Sequence, residues 1–590
     1  MSSQTPGSGP ANAERGPTLV VLLHAYSLGP ESLDALAAAV RTVEGFGTDA
    51  EAELLVPPLP LSVLSAVDPF VMVNQLIDAI DARLARPGPA FGRILLIGHS
   101  YGALLARKLY VVACGETEAA PFEAAIRDHR GKEWAAKVER IILLAGMNRG
   151  WRISHHLSIA TALLWTLGIL LGNLIQLLSG RQPSIFFIRK GAPFITDLRI
   201  QWIKMRQAAR ERGVGGALTV QLLGSVDDMV SPNDNIDLIS GGDFVYRDIP
   251  YSGHADVVDV ADATPLPTPT TEGPQTLGDA RFAVIRSVLL SDDATLLNAS
   301  VIPDDEPPPA ANASVRHVVF VIHGIRDQGY WTHKIARRVQ ALGRAQGDSI
   351  VVATETSTYG YFPMLSFLLP GKRREKVEWL MDQYAEALAR FPDAEFSYVG
   401  HSNGTYLLAD ALRKYPSCRF RYVVFAGSVV RTHYPWTDAL RRGQVKKILN
   451  YVATADWVVA IFPKAIEMLH LQDLGSAGHD GFSAASGGAV HQIRYVRGGH
   501  SAALAEANWD AIARFALRGE VVEPPAPFEA PKRSRAIALL GRIAPLLWVG
   551  LAALIYGIYR WIFGLEIGEA ERTLLAAGLT LLLWMVVTRV

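Results

Sequence analysis

Cysteine is scarce: Cys114 and Cys418 are the only two in 590 residues. That excludes a disulfide framework and fits a reducing compartment, with both thiols read as buried apolar groups. An excess of charge is also missing. Lys plus Arg and Asp plus Glu both number 57, which removes the electrostatic basis for a polyanionic partner, so nucleic acid is not expected. The first residues, MSSQTPGSGPANAERGP, carry no apolar core and do not read as a secretory signal. Without export, Asn298 and Asn312 of the two Asn-Ala-Ser sequences read as linker residues. No metal-ligand cluster and no phosphate-cradling glycine loop occurs, so neither cofactor nor metal is expected. What the chain has in quantity is apolar surface. A mean hydropathy of +0.18 is high for a purely soluble protein and points to membrane segments or unusually apolar surfaces.

Apolar strand runs alternate with helical patterns from TLVVLLHAYS onward, which predicts an α/β fold with mostly parallel sheets and helices on both faces. A polar tail over 1–16 precedes a first unit over 17–291. An acidic, Pro-rich linker covers 292–315, and a second alternating unit spans 316–518. A second Pro-rich linker over 519–536 leads to a segment of different character, 537–590. There IAPLLWVGLAALIYGIYRWIF (543–563) and TLLAAGLTLLLWMVVT (573–588) flank the acidic turn GLEIGEAER. These read as a transmembrane hairpin, or else as a buried helix pair. Lys532, Arg533, Arg535 and Arg542 precede it, while Glu566, Glu569 and Glu571 lie in its turn. The basic-inside bias then places both units on the cytoplasmic side, as in a bacterial inner membrane. Trp548, Tyr556, Tyr559 and Trp561 suit interfacial positions.

Two stretches share one plan: RILLIGHSYGALLARKLY around Ser100 and EFSYVGHSNGTYLLADAL around Ser402. Each is a strand-like run, a Gly-His-Ser-x-Gly turn and a helix-like run, the context a nucleophile elbow requires. A serine hydroxyl is a weak nucleophile. It needs a base to take its proton, an acid to orient that base, and donors for the oxyanion. The partners should follow in the order acid, then histidine, each just after a strand. In the first unit ALTVQLLGSVDDMVSP offers Asp227 and Asp228, and FVYRDIPYSGHADVVD offers His254. In the second, Asp456 is the only carboxylate of VKKILNYVATADWVVAIFP, and VHQIRYVRGGHSAAL offers His500. The first strands end in candidate oxyanion loops, LLHAYS and VIHGIRDQG. The expected donors are the backbone N–H groups of Ala25 and Tyr101, and of Gly324 and Asn403. His24, His323, His99 and His401 read as structural.

Both units resemble α/β-hydrolases, the superfamily of lipases, esterases, thioesterases and some peptidases, over residues 17–291 and 316–518. The resemblance implies nucleophile, acid and base at Ser100, Asp227 and His254, and at Ser402, Asp456 and His500. It favours Asp227 over Asp228 because Gly224-x-x-Asp227-x-x-Val230 follows the family's turn. The usual His-Gly after the first strand is His24-Ala25 in the first unit.

The spacing adds a difference between the copies. Histidine to serine spans 76 residues in the first unit and 79 in the second, whereas serine to acid spans 127 against 54. The first unit therefore carries an insertion over about 151–205 where the fold usually places its cap. It contains LSIATALLWTLGILLGNLIQLL (157–178), uncharged throughout. A single crossing there would separate Ser100 from its partners, so the run reads as an apolar lid over the site or in the membrane interface, or as a buried cap. In the second unit YGYFPMLSFLLPGKRREK sets an apolar run beside Lys372, Arg373, Arg374 and Lys376, suited to an anionic membrane surface or to solvent. Together these features predict a membrane-anchored serine hydrolase acting on esters or thioesters of lipidic substrates, with the bilayer as partner. The alternative is a membrane-bound interaction protein with catalytically silent hydrolase-like domains, and amide cleavage by the same triad is a third reading.

Overall fold

A strand buried on both faces must be apolar along its whole length, and TLVVLL at Thr18–Leu23 is buried at all six positions. A computed structural model describes residues 16–588 except 64, 152–167, 169–171, 173–179, 228, 231, 236, 238–243, 269–272, 301–310, 326–328, 346–350, 357–366, 368–369, 484–487 and 523–530. The chain divides into two compact units, Met1–Pro309 and Ala310–Val590.

In the first unit β1 (Thr18–Leu23), β2 (Ala52–Leu55), β3 (Arg93–His99), β4 (Val138–Leu144), β5 (Leu218–Gly224) and β6 (Phe244–Ile249) form one sheet in the order β2-β1-β3-β4-β5-β6. Every neighbouring pair is parallel. Among its helices are α1 (Pro69–Leu84), α2 (Tyr101–Cys114), α3 (Pro193–Arg212) and α4 (Leu277–Leu290). Local chemistry sets their starts. Asp68 accepts from the Phe70 N–H ahead of Pro69, and Thr276 with Asp279 closes a capping box at α4.

The second unit repeats the order. Its strands β7 (Val315–Ile322), β8 (Val351–Glu355), β9 (Glu395–His401), β10 (Phe420–Ala426), β11 (Val445–Ala453) and β12 (Val490–Val496) run β8-β7-β9-β10-β11-β12, all parallel. Its helices include α5 (Tyr330–Arg344), α6 (Pro370–Arg390), α7 (Asn403–Lys414), α8 (Trp457–Met468) and α9 (Trp509–Arg518). Both sheets fit an α/β-hydrolase-like fold. In each, the chain leaves the first strand towards one edge and returns on the other side with the third. That reversal opens a crevice at the carboxyl ends of β1 and β3, and of β7 and β9, where open α/β sheets bind ligands.

The first unit's insertion falls between β4 and β5. Its run 157–178 lies outside the described residues apart from Gly168 and Gly172. On its C-terminal side Ile188, Phe194, Leu198 and Trp202 are buried in the main cluster. In the second unit Arg373 corrects the expectation of a uniformly outward basic cluster. It is 2% exposed and donates to the Phe367 carbonyl at 2.8 Å, its guanidinium lying over the Phe367 and Tyr406 rings.

The C-terminal segment forms α10 (Arg535–Arg542), α11 (Ala544–Gly564) and α12 (Glu569–Thr588). Among the described residues α11 is the one helix long and apolar enough to cross a membrane. Leu546, Val549, Leu554, Tyr556 and Trp561 are exposed along it. Two of the four aromatics expected at an interface also make contacts within the chain. Tyr559 shares a hydrogen bond with Thr580 of α12, and the Trp548 ring sits edge-on to Phe462 of α8.

Candidate active sites

Ser100 stands between β3 and α2 with φ 53° and ψ −113°, a strained conformation for a side-chain-bearing residue that lifts the hydroxyl above the sheet. The turn closes only because glycines flank it. A Cβ on Gly102 would sit 2.3 Å from the Leu23 carbonyl oxygen, and one on Gly98 would sit 2.4 Å from that of Gly102. Tyr101 opens α2, so its N–H has no acceptor within the helix.

The partners arrive from β5 and β6. Oδ1 of Asp227 accepts from the N–H groups of Met229 and Val230, both at 2.9 Å. This fixes the carboxylate and leaves Oδ2 for His254 Nδ1 at 3.1 Å. His254 Nε2 lies 2.9 Å from Ser100 Oγ. With the Nδ1 proton given to the carboxylate, Nε2 is the acceptor for the serine proton. Serine, histidine and Asp227 therefore form one continuous hydrogen-bonded chain, while Asp228 lies outside the described residues.

The other histidines serve the scaffold. His24 Nε2 accepts from the Leu59 N–H at 3.1 Å and its Nδ1 meets the Ala25 carbonyl at 3.0 Å, which holds the loop bearing Ala25. His99 Nε2 meets the His254 carbonyl oxygen at 2.9 Å. Burial, and then the neighbouring His254, pull His99 down to about 4, so it stays neutral.

The second site is built the same way from β9, β11 and β12. Ser402 has φ 52° and ψ −118°, and a Cβ on Gly404 would lie 2.7 Å from the Ile322 carbonyl oxygen. Gly324 is held to glycine by the serine itself: its Cβ would come within 2.7 Å of Ser402 Cβ. Asp456 caps α8 by accepting from the Val459 N–H at 3.0 Å, and both its oxygens lie within 3.1 Å of His500 Nδ1. Among the described residues no hydrogen bond joins His500 to Ser402. The His500 ring instead lies close to His401, with centroids 4.8 Å apart against 5.8 Å for His99 and His254. Acid and base are assembled here, and the serine contact is open.

One feature of the first site was not singled out from the sequence. Arg107 on α2 pairs with Asp237 at 2.8 Å and donates to the Asn148 carbonyl, and Arg199 of α3 reaches Asp237 at 3.4 Å, with all three charged groups buried. Burial alone would raise the Asp237 carboxyl; Arg199 and then Arg107 outweigh it and hold it below its ordinary value. Beside it Lys108, fully buried, pairs with Glu123 at 2.6 Å. The signal was there: Arg107 and Lys108 interrupt ALLARKLYVVAC, a helix otherwise apolar all round and so committed to the interior.

No protein-family model and no curated protein matches the sequence. Several solved structures are similar to part of it. Phospholipase PlaB from Legionella pneumophila is 16% identical over 35% of this chain and 39% of that one, with a TM-score of 0.23. Its complex with thio-NAD is 12% identical over 48% and 61%, with a TM-score of 0.30. This chain thus spans 39% and 61% of the two PlaB chains it matches. The RedJ thioesterase of the prodiginine pathway in Streptomyces coelicolor is 16% identical over 49% and 91%, with a TM-score of 0.24.

Proposed function

We propose that the chain is a membrane-anchored serine hydrolase that cleaves ester or thioester bonds of lipidic substrates through an acyl-enzyme. The observation that carries the reading is the hydrogen-bonded chain from Ser100 through His254 to Asp227, on a strained elbow at the sheet's switch point. In this mechanism Ser100 Oγ attacks the carbonyl carbon while His254 Nε2 takes its proton. The tetrahedral oxyanion receives the N–H groups of Ala25 and Tyr101. His254 then returns the proton to the leaving alcohol or thiol, and water repeats the cycle on the acyl-enzyme. The second site follows the same scheme with Ser402, His500 and Asp456, and with Gly324 and Asn403 as donors. Its serine contact closes on substrate, as catalytic hydrogen bonds in ligand-free enzymes often do.

Lipid enters the reading through the apolar α11, long enough to cross a bilayer; in this reading α12 pairs with it as a hairpin and the basic residues before α11 orient both units to the cytoplasmic side. Ester hydrolysis by membranes bearing the Ser402→Ala protein, with and without Ser100→Ala, tests the first site. Loss of the nucleophile should lower turnover by on the order of a thousandfold or more. Undiminished hydrolysis would contradict the assignment, and no hydrolysis in either would leave the interaction-protein reading.

A further inference from the structure

The acid of the second site is unlike that of the first in how it is held. Asp227 is fixed by two N–H groups of its own loop. Asp456 is the N-cap of α8, and that helix carries the C-terminal segment on its flank. Thr454 and Ala455 donate to the carbonyls of Val496 and Gly498, and the Gly498 N–H donates to Thr454 Oγ1, so this short loop also holds the chain leading to His500. From the other direction the Ser534 N–H donates to the Thr454 carbonyl at 2.9 Å. The Arg533 guanidinium pairs with Asp480, whose carboxylate also holds Lys464 of α8 at 2.9 Å.

Further along, Gly541 of α10 approaches α8 so closely that a Cβ would lie 3.2 Å from the Ala460 carbonyl oxygen. Trp548 of α11 donates its indole N–H to the Ile461 carbonyl at 3.3 Å and sets its ring edge-on to Phe462, centroids 5.3 Å apart. Residues 533–548 therefore touch α8 at Ala460, Ile461, Phe462 and Lys464, one to two turns from Asp456, and touch the loop before it at Thr454.

We infer that residues 533–548 are a positioning element for Asp456 and His500, so that docking of the membrane segment sets the competence of the second site. The inference rests on reading those two residues as acid and base. A misplacement of the acid by about 1 Å through a change remote from the chemistry is enough to cost up to about a hundredfold in rate. The faces of α11 turned away from α8 are apolar and exposed, and in a bilayer lipid covers them. The second site is then competent where the chain is inserted. The first site keeps its own acid geometry.

The test uses full-length protein in membranes. In a Ser100→Ala background, fluorophosphonate labelling reports Ser402 alone, and hydrogen exchange at the Val459 amide reports the Asp456 cap whether or not Ser402 reacts. Gly541→Leu and Trp548→Ala should slow labelling by about ten- to a hundredfold and raise Val459 exchange, with membrane retention and the protection of β9 to β11 unchanged. Trp548→Phe, which keeps the contact with Phe462, should restore most of the rate, and Leu554→Ala, on the exposed face of α11, should behave as wild type. Unchanged labelling and unchanged exchange in Gly541→Leu and Trp548→Ala would overturn the inference. If Ser402 is inert in the wild type, the hydrolase reading of this site fails, and Val459 exchange alone decides whether the segment positions Asp456.

Discussion

Each histidine beside an elbow serine is buried and neutral, and this has a consequence for stability. Burial, and then the facing His254 and His500 respectively, hold His99 at about 4 and His401 at about 3, both below the ordinary value of 6.5. The unfolded chain therefore binds these protons at higher pH than the folded one. Their contribution is complete above about pH 6.5 and is lost as pH falls through the folded values, at about 1.4 kcal/mol per pH unit for each histidine. The groups facing His99 are His254, Asp227 and His24. A urea midpoint for the first unit should fall between pH 7 and pH 5, and His99→Gln should flatten that limb. An equally steep limb in the variant would assign the acid sensitivity elsewhere.

The alternating strands and helices were legible because β-branched and leucine runs end at turn residues, as at Gly98, where a Cβ would lie 2.4 Å from the Gly102 carbonyl oxygen. The serines, acids and histidines could be chosen by their place after β3, β5 and β6 and after β9, β11 and β12. The destination of charged residues inside helices was not legible. Arg373 looks solvated beside Lys372 and Arg374, and it is buried because Phe367 and Tyr406 reach it from separate parts of the chain. Likewise Arg107, Arg199 and Asp237 meet only in three dimensions, where they tie the elbow helix α2 to the inserted α3. Removing one partner leaves a buried charge uncompensated. Asp237→Ala should destabilise the first unit by about 3–5 kcal/mol in denaturant unfolding, whereas a change within about 0.5 kcal/mol would mean that the carboxylate is dispensable.

Across the whole chain, the two units share one strand order and place serine, acid and histidine after equivalent strands. They differ in what holds the acid: a self-sufficient turn in the first, and a helix docked on the C-terminal apolar segment in the second. The spacing of the motifs disclosed the repeat, since it is local to each unit. The docking of residues 533–548 on α8 was hidden, because it joins positions roughly 80 residues apart with no shared pattern. The central claim is that the chain is a serine hydrolase with its nucleophiles at the two elbows. It is tested most directly by mapping, in the full-length protein, the peptides modified by a fluorophosphonate. The account predicts adducts on Ser100 and Ser402, each abolished by its own alanine substitution; a folded protein that stays unmodified at both would contradict it.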